Sequence, residues 1–218
     1  MLLALGFLSL MGCYSDDDED RHSYYQFNEA DKALLIKYDY TVDQIITYEN
    51  QFEEQVHLKV LVNEIKKQPY YTRGTFSGGG GDLSHYYDNQ IIRFEVVENP
   101  SAEIYGSVNY IFSKNFDRLE NGINFPMWNV LESYFLDEIE NAMNIVTTGY
   151  NTVEKIQLNS NGHVFKNVVM LTSDSDESLE NGTFGVVPND INLIYYDYDF
   201  GVVQFNGVDG KIWKVIYP

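Results

Sequence analysis

The sequence predicts a mainly β protein, in which an antiparallel sheet forms an open barrel or a sandwich together with one or two short helices. Three observations support this fold class. Apolar and polar residues alternate along several segments, which is the period of a half-buried strand. Two dipeptides that favour tight hairpin turns, Asn161-Gly162 and Asp209-Gly210, separate such segments. The chain has 218 residues, a length that an all-β domain can reach undivided.

A short helix is predicted first, within the segment "FNEADKALLIKYDY" that begins at Phe27. Asn28 is a residue type that caps helices, because its side chain can accept a hydrogen bond from a backbone N–H of the first turn. Asp31 lies near that first turn, where a negative charge is favourable. The apolar residues that follow are sufficient for two or three turns.

Three strands are predicted next from alternating residues. Gln55–Val62 alternates valine and leucine with Gln, His and Lys. Ile92–Val96 repeats the pattern around Arg93 and Glu95, and Ile104–Phe112 gives a third run. Because each run has one apolar and one polar face, we expect half-buried strands of an antiparallel sheet.

The last sixty residues have the clearest strand pattern. Val153–Leu171 predicts a hairpin that turns at Asn161-Gly162. Ile191–Pro218 predicts two or three further strands, with Asp209-Gly210 as a second tight turn.

One segment, Pro126–Met143, fits two structures. Its apolar residues recur at spacings of three and four, which predicts an amphipathic helix. Its Tyr and Phe content would suit a strand equally well. The residues that define the helical spacing are Trp128, Leu131, Phe135, Ile139 and Ala142.

The charge of the chain disfavours two classes of partner. The net charge is −19, from 33 acidic and 14 basic residues. Such a surface repels phosphate backbones and anionic lipid headgroups, so we expect no nucleic-acid partner. The acidic residues Asp16–Asp20 form an uninterrupted run, which is typical of a solvated, unfolded segment.

The N-terminal residues have the pattern of an export signal. Residues 1–12, "MLLALGFLSLMG", are apolar, uncharged and too short to span a bilayer. The usual positive start is missing, so we expect the true start to lie upstream. Leu10-Met11-Gly12-Cys13 looks like a lipobox, in which the cysteine becomes acylated. We therefore predict a lipoprotein signal peptide over 1–12, an acidic tether over 13–25 and a single β-rich domain over 26–218.

These features resemble a known group of proteins. The lipobox, the acidic run and the ending "LIYYDYDFGVVQFNGVDGKIWKVIYP" are similar to those of uncharacterised surface lipoproteins of Bacteroidota, of flavobacterial type. The resemblance implies an outer-membrane protein, held by acyl chains such as palmitate on Cys13 and facing the cell exterior. It also implies that the acidic run is the export signal, formed by Asp16, Asp17, Asp18, Glu19 and Asp20. The family brings no known activity, so it supplies no functional residues.

Most catalytic and metal-binding motifs are missing from the sequence. Cys13 is the single cysteine, which excludes disulfides. The four histidines are far apart, and neither a histidine-pair metal motif nor GxSxG occurs. We therefore expect no catalytic residue of these types, no metal site and no cofactor.

Two segments have features of ligand-binding loops. In "SGGGGDLSHYYD", from Ser77, four glycines could wrap an anion, but Asp82 stands where a phosphate-binding loop needs lysine. A flexible loop is the plainer interpretation, and Tyr86 and Tyr87 are possible ligand contacts. Asp174–Gly182 begins like a calcium-binding EF-hand loop. Its sixth and twelfth positions lack the required Gly and Glu, so a solvated acidic loop is favoured over a weak calcium site.

Asp197 and Asp199 are the remaining candidates for ligand contact. Their spacing of two predicts that both lie on one face of a strand. Paired carboxylates of this kind can act as acid and base on glycosides. A solvent-facing polar row would give the same pattern.

Three functions are compatible with the sequence. The first is a non-catalytic binding or structural module on the cell surface, for glycan, protein or apolar ligands. The second is a surface hydrolase that uses carboxylates, and the third is an immunity or periplasmic accessory lipoprotein with a protein partner. The absence of a recognised catalytic motif favours the first. In each case Cys13 attaches the chain to the membrane.

The N-terminal pattern predicts two separable roles. Cys13→Ala should abolish incorporation of labelled fatty acid, because no other residue fits the lipobox. Replacing Asp16–Asp20 with Ser and Ala should retain the acyl group but protect the protein from protease added to intact cells. If the protease removes this variant from the cells as readily as the wild-type chain, the acidic run is only a spacer.

Overall fold

The computed structural model describes residues 22–72, 81–98, 107–125, 134–137, 142–145, 155–172, 183–184, 187–188 and 191–218. These residues form fifteen strands and one short helix. In chain order they are β1 Ser23–Tyr25, α1 Glu29–Leu34, β2 Ile45–Glu49, β3 Gln55–Tyr71, β4 Leu83–Val96, β5 Val108–Asn115, β6 Arg118–Asn124, β7 Tyr134–Asp137, β8 Ala142–Ile145, β9 Ile156–Ser160, β10 His163–Thr172, β11 Thr183–Phe184, β12 Val187–Pro188, β13 Ile191–Asp197, β14 Gly201–Gly207 and β15 Ile212–Ile216.

Eleven of the described strands belong to one sheet, whose main order is β6-β5-β4-β3-β2-β15-β14-β13-β10-β9. Two meanders, β2 to β6 and β9 to β15, therefore join where β2 pairs with β15. The outer strands β6 and β9 do not pair with each other, so the sheet is not closed into a barrel. The main order is antiparallel throughout, and the predicted mainly β fold class is confirmed.

Helix α1 begins at the predicted cap. The Asn28 side-chain oxygen accepts a hydrogen bond from the Asp31 backbone N–H at 2.9 Å, and the Asp31 carboxylate accepts one from the Asn28 N–H at 2.8 Å. This reciprocal pair is a capping box. The helix ends at Leu34, earlier than predicted, because the backbone of Leu35 is extended. The backbone of Ile36 instead pairs with the Gln90 side chain.

The two predicted tight turns are confirmed. Asn161 and Gly162 join β9 to β10, both with positive φ, as the favoured two-residue hairpin turn requires. Gly210 also has a positive φ and lies in the turn between β14 and β15, where the Gly207 N–H donates to the Lys211 carbonyl.

The sheet curves so that its two halves share a core. The rings of Tyr110 in β5 and Tyr196 in β13 lie 6.0 Å apart, although their strands are distant in the sheet order. Gly201, which has a φ of +101°, allows this approach, since a Cβ there would lie 2.6 Å from the Tyr110 ring. Trp213 of β15 is the largest fully buried side chain among the described residues. Burial of alternate residues confirms the predicted faces of β3 and β4.

Two tyrosine hydroxyls hydrogen-bond the backbone of β14 beyond the point where its pairing with β15 ends. The β14–β15 pairing begins at Gln204, so Val202 lies beyond it. The Tyr48 hydroxyl donates to the Val202 carbonyl at 2.6 Å, and the Tyr110 hydroxyl accepts from the Val202 N–H at 3.1 Å. The buried Tyr196 hydroxyl has no partner among the described residues.

Two sequence expectations differ from the structure. The structure describes two parts of the segment Pro126–Met143. Both lie in strands, β7 and β8, so the predicted helix is wrong for these parts. Antiparallel pairing between the two segments overrides their helical spacing. In addition, Ser23–Tyr25 pairs in parallel with β4, so the sheet begins three residues before the predicted domain boundary at 26. The part of the third predicted strand around Ile104 lies outside the described residues.

The tyrosine hydroxyls can be tested as a pair. Tyr48→Phe should lower the free energy of unfolding by about 1–3 kcal/mol, because it leaves the buried Val202 carbonyl unsatisfied. Tyr196→Phe should cost nothing, or stabilise by up to about 1 kcal/mol, because it removes a hydroxyl that has no partner. Urea unfolding measures both. Equal losses in the two variants would contradict this account of the core.

Candidate functional site

The described residues line an open cleft of about 480 Å³. It lies where β10 begins, where β13 and β15 end and where the chain crosses from α1 to β2. We call it the aromatic cleft. Its lining residues are Lys37, Tyr38, Asp39, His163, Val164, Phe165, Lys166, Asn167, Asp197, Asp199, Phe200 and Tyr217.

Aromatic rings form one wall of the aromatic cleft. The His163 and Tyr217 rings are stacked, with centroids 3.7 Å apart and planes 7° from parallel. Phe165 and Phe200 pack beside them and are almost fully buried. Tyr217 is 38% exposed, so part of this surface is open to a ligand.

Hydrogen bonds between distant strands bring His163 and Tyr217 together. The Ser160 hydroxyl and the Asn161 side-chain amide both donate to the Val215 carbonyl, each at 3.1 Å. These bonds hold the β9–β10 turn against β15. His163 follows that turn directly and Tyr217 follows β15, so the two rings meet.

Polar groups form the opposite side. Lys37 Nζ lies 2.6 Å from Asp199 Oδ1. The backbone N–H groups of Lys37 and Tyr38 donate to the Asp199 carbonyl at 3.0 and 2.8 Å. This loop-to-turn contact fixes a charged pair beside the aromatic wall. Both partners remain about half exposed, so their charges can interact with a ligand as well as with each other.

Asp197 shapes the turn that carries Asp199. Its Oδ1 accepts from the backbone N–H groups of Asp199 and Phe200 at 2.9 and 3.0 Å, and its Oδ2 accepts from the Asn167 N–H at 3.3 Å. Burial raises the pKa of the Asp197 carboxyl, although these hydrogen bonds act in the opposite direction. Both oxygens are therefore engaged by the backbone.

The predicted arrangement of Asp197 and Asp199 on one strand face is wrong. Strand β13 ends at Asp197, and Asp199 lies in the following turn. Asp197 is only 3% exposed, so the two residues do not form a solvent-facing row either. Both line the aromatic cleft, which brings them to the same site in different roles.

Tyr86 and Tyr87 lie in strand β4 and not in a loop. Tyr87 lines a second, smaller cavity of about 120 Å³. Tyr86 instead has Lys67 Nζ 4.0 Å from its ring centroid. The structure therefore separates the two neighbouring tyrosines between the two faces of the strand.

Several predicted residues lie outside the described parts of the chain: Cys13, the acidic run Asp16–Asp20, the four-glycine segment up to residue 80 and the acidic segment Asp174–Gly182. In the part of the chain that is described, no group of three or more His, Cys, Asp or Glu residues could hold a metal ion. No helix in that part is long and apolar enough to cross a membrane.

Comparisons of this chain with protein-family models, with curated proteins and with solved structures give no match.

Sequence reasoning did not find the stacked pair His163–Tyr217. Each residue has only a weak local signal, since His163 borders a turn and Tyr217 follows a strand. Their contact depends on the β9–β10 turn meeting β15, which no local pattern encodes.

The role of Asp197 gives a third testable prediction. Asp197→Asn should lose less stability than Asp197→Ala, because its amide oxygen can still accept from Asp199 and Phe200, although its NH2 group cannot replace the oxygen that accepts from the Asn167 N–H. Asp197→Ala should lose about 1–3 kcal/mol, since it leaves those buried N–H groups without a partner. Thermal and urea unfolding measure the difference. Equal destabilisation by Asn and Ala would mean that the charge, and not the acceptor geometry, holds the turn.

Proposed function

We propose that the protein is a lipid-anchored binding module of the cell surface, without catalytic activity, and that it binds a glycan in the aromatic cleft. The observation that carries the glycan assignment is the stacked His163–Tyr217 pair, which faces a cleft with charged and amide side chains.

The two sides of the cleft match the two kinds of surface on a sugar. A sugar ring has an apolar C–H face that packs on aromatic rings, and hydroxyls that need donors and acceptors. Tyr217 and His163 supply the ring surface. Lys37 and Asn167 supply donors, and Asp199 supplies an acceptor. A volume of about 480 Å³ lies within the range of small-molecule sites.

The charge of the protein narrows the glycan class. A net charge of −19 repels polyanions over a long range. Within the cleft the positive Lys37 is compensated by Asp199 at 2.6 Å. Neutral oligosaccharides therefore fit better than sulfated or uronic-acid polymers.

The engagement of Asp197 supports binding over hydrolysis. A glycosidase needs two carboxyl groups that reach the scissile bond from opposite sides. Asp197 accepts three backbone hydrogen bonds, and Asp199 pairs with Lys37. No other observation on the described residues favours the hydrolase, and none favours an immunity or accessory role with a protein partner.

The N-terminal pattern supports the cellular location. The proposal places acyl chains on Cys13 and assigns export to the outer face to Asp16–Asp20, as the resemblance to Bacteroidota lipoproteins implies. Ser23, the start of β1, lies ten positions after Cys13. A fully extended chain of that length spans at most about 35 Å, so the domain would stay close to the outer membrane.

Glycan binding tests the proposal. A glycan array should show binding to neutral oligosaccharides, and titration calorimetry with a positive oligosaccharide should give about tenfold weaker affinity for Tyr217→Ala, because the exposed ring surface is lost. Tyr71→Ala is the matched control, since Tyr71 is 57% exposed at the far end of β3 and does not line the cleft. Its affinity should be unchanged.

Three results would contradict the proposal. If no glycan on the array binds, a glycan is not the ligand. If Tyr217→Ala and the wild-type chain bind the oligosaccharide with equal affinity, the aromatic cleft is not the binding site. Release of shorter oligosaccharides during the titration would favour the hydrolase.

A further inference from the structure

A second cavity, of about 120 Å³, lies on the β4–β5–β6 part of the sheet and shares no residue with the aromatic cleft. It is far smaller than a typical ligand pocket, so it can take one functional group and not a whole ligand. Its lining residues are Tyr70, His85, Tyr87, Ser113, Lys114, Asn115 and Glu120.

Aromatic rings form one side of this cavity. The Tyr70 and His85 rings are stacked, with centroids 4.7 Å apart and planes 20° from parallel. The Tyr87 ring lies 6.2 Å from His85 at an angle of 57°. Tyr25 and Phe116 pack against His85 at 5.1 and 4.9 Å and bury it to 3% exposure. Burial lowers the pKa of His85, so the imidazole stays neutral near pH 7.

A carboxylate lies on the other side. Glu120 Oε1 accepts from the Asn115 side-chain amide at 2.7 Å and lies 3.4 Å from Arg118 Nη2. The negative charge of Glu120 also contributes, after burial, to the raised pKa of the Tyr87 hydroxyl. A negative potential therefore reaches the aromatic side of the cavity.

The positive charge in the lining is already compensated. Lys114 Nζ lies 2.9 Å from Asp31 Oδ2 and donates to the Asp117 carbonyl at 3.0 Å. Both members of this ion pair are buried. Lys114 therefore brings little net charge to the cavity. The pair of Glu120 with Arg118 is longer, at 3.4 Å, and the Arg118 side chain is 69% exposed, so solvent screens it and the Glu120 charge is compensated less completely.

We infer that this cavity is a second ligand site, which takes the ammonium group of an organic cation. The negative faces of aromatic rings attract such a group, and a nearby carboxylate strengthens the attraction. The net charge of −19 also concentrates cations at the surface. The ammonium group can belong to a lipid headgroup or to a free compound. The inference does not depend on the glycan proposal.

A matched pair of compounds tests the charge requirement. Choline and 3,3-dimethylbutan-1-ol have the same shape, but only choline has a charged nitrogen. Titration calorimetry on the full-length chain, in a polyoxyethylene detergent, should show saturable binding of choline and at least about tenfold weaker binding of the neutral analogue. Equal affinities, or no binding of either choline or methylammonium, would overturn the inference.

Variants locate the site. Tyr70→Ala and Glu120→Gln should each weaken choline binding at least about fivefold, because one removes a ring and the other a charge. Tyr71→Ala is the matched control: it is the neighbouring, similarly exposed tyrosine outside the cavity, and its affinity should not change. Thermal unfolding of each variant shows that the fold is retained, and the isosteric Glu120→Gln keeps the test valid if Tyr70→Ala unfolds. An equal effect of Tyr70→Ala and Tyr71→Ala would overturn the location.

Competition distinguishes the two sources of the cation. Glycerophosphocholine carries the headgroup of a zwitterionic lipid in soluble form. If this compound displaces choline from the wild-type chain but not from Tyr70→Ala, the ligand is a lipid headgroup. Binding of choline without such displacement supports a free cation, because the phosphate is then rejected.

Discussion

Three residue pairs join the two halves of the sheet: Lys214 with Glu49, Val215 with Tyr48 and Ile216 with Thr47. They connect the first strand of one meander to the last strand of the other, although the residues are more than 160 positions apart. The rest of the structure depends on this contact. It brings Tyr48 under β14 and places the β9–β10 turn beside β15. The core and the aromatic cleft both follow from it.

The parts of the fold that could be predicted from the sequence are those set by local chemistry. The Asn28 cap, the Asn161-Gly162 turn and the alternation in β3 each involve residues close in the chain. Strand β1 could not be predicted, because three polar and aromatic residues near an acidic segment have no strand period. Only the parallel pairing with β4 makes Ser23–Tyr25 a strand. For Pro126–Met143 the spacing predicts a helix and the Tyr and Phe content a strand, and the pairing of β7 with β8 decides for the strand where the segment is described.

The candidate sites show the same limit. The sequence draws attention to Asp197 because it is acidic and near a second aspartate, yet its carboxylate is used by backbone N–H groups of its own turn and of Asn167. Tyr87 was predicted as a ligand contact for the wrong reason, as a loop residue, and it lines a cavity as a strand residue. His163 and Tyr217 become a surface only when two strand ends meet. In each case the side chain's neighbours come from pairing between distant strands.

The parallel pairing of β1 with β4 also has a mechanical consequence. If a force on the chain ahead of Ser23 is directed along the axis of β1, the hydrogen bonds between the two strands are loaded in shear and must fail together. The Tyr24 hydroxyl and the Phe27 N–H, which both donate to Asp88, carry part of the same load. If β1 ran across the direction of pull, its bonds would open one after another at much lower force. Parallel pairing with β4 therefore makes β1 more resistant to a pull along its axis than to a pull across it.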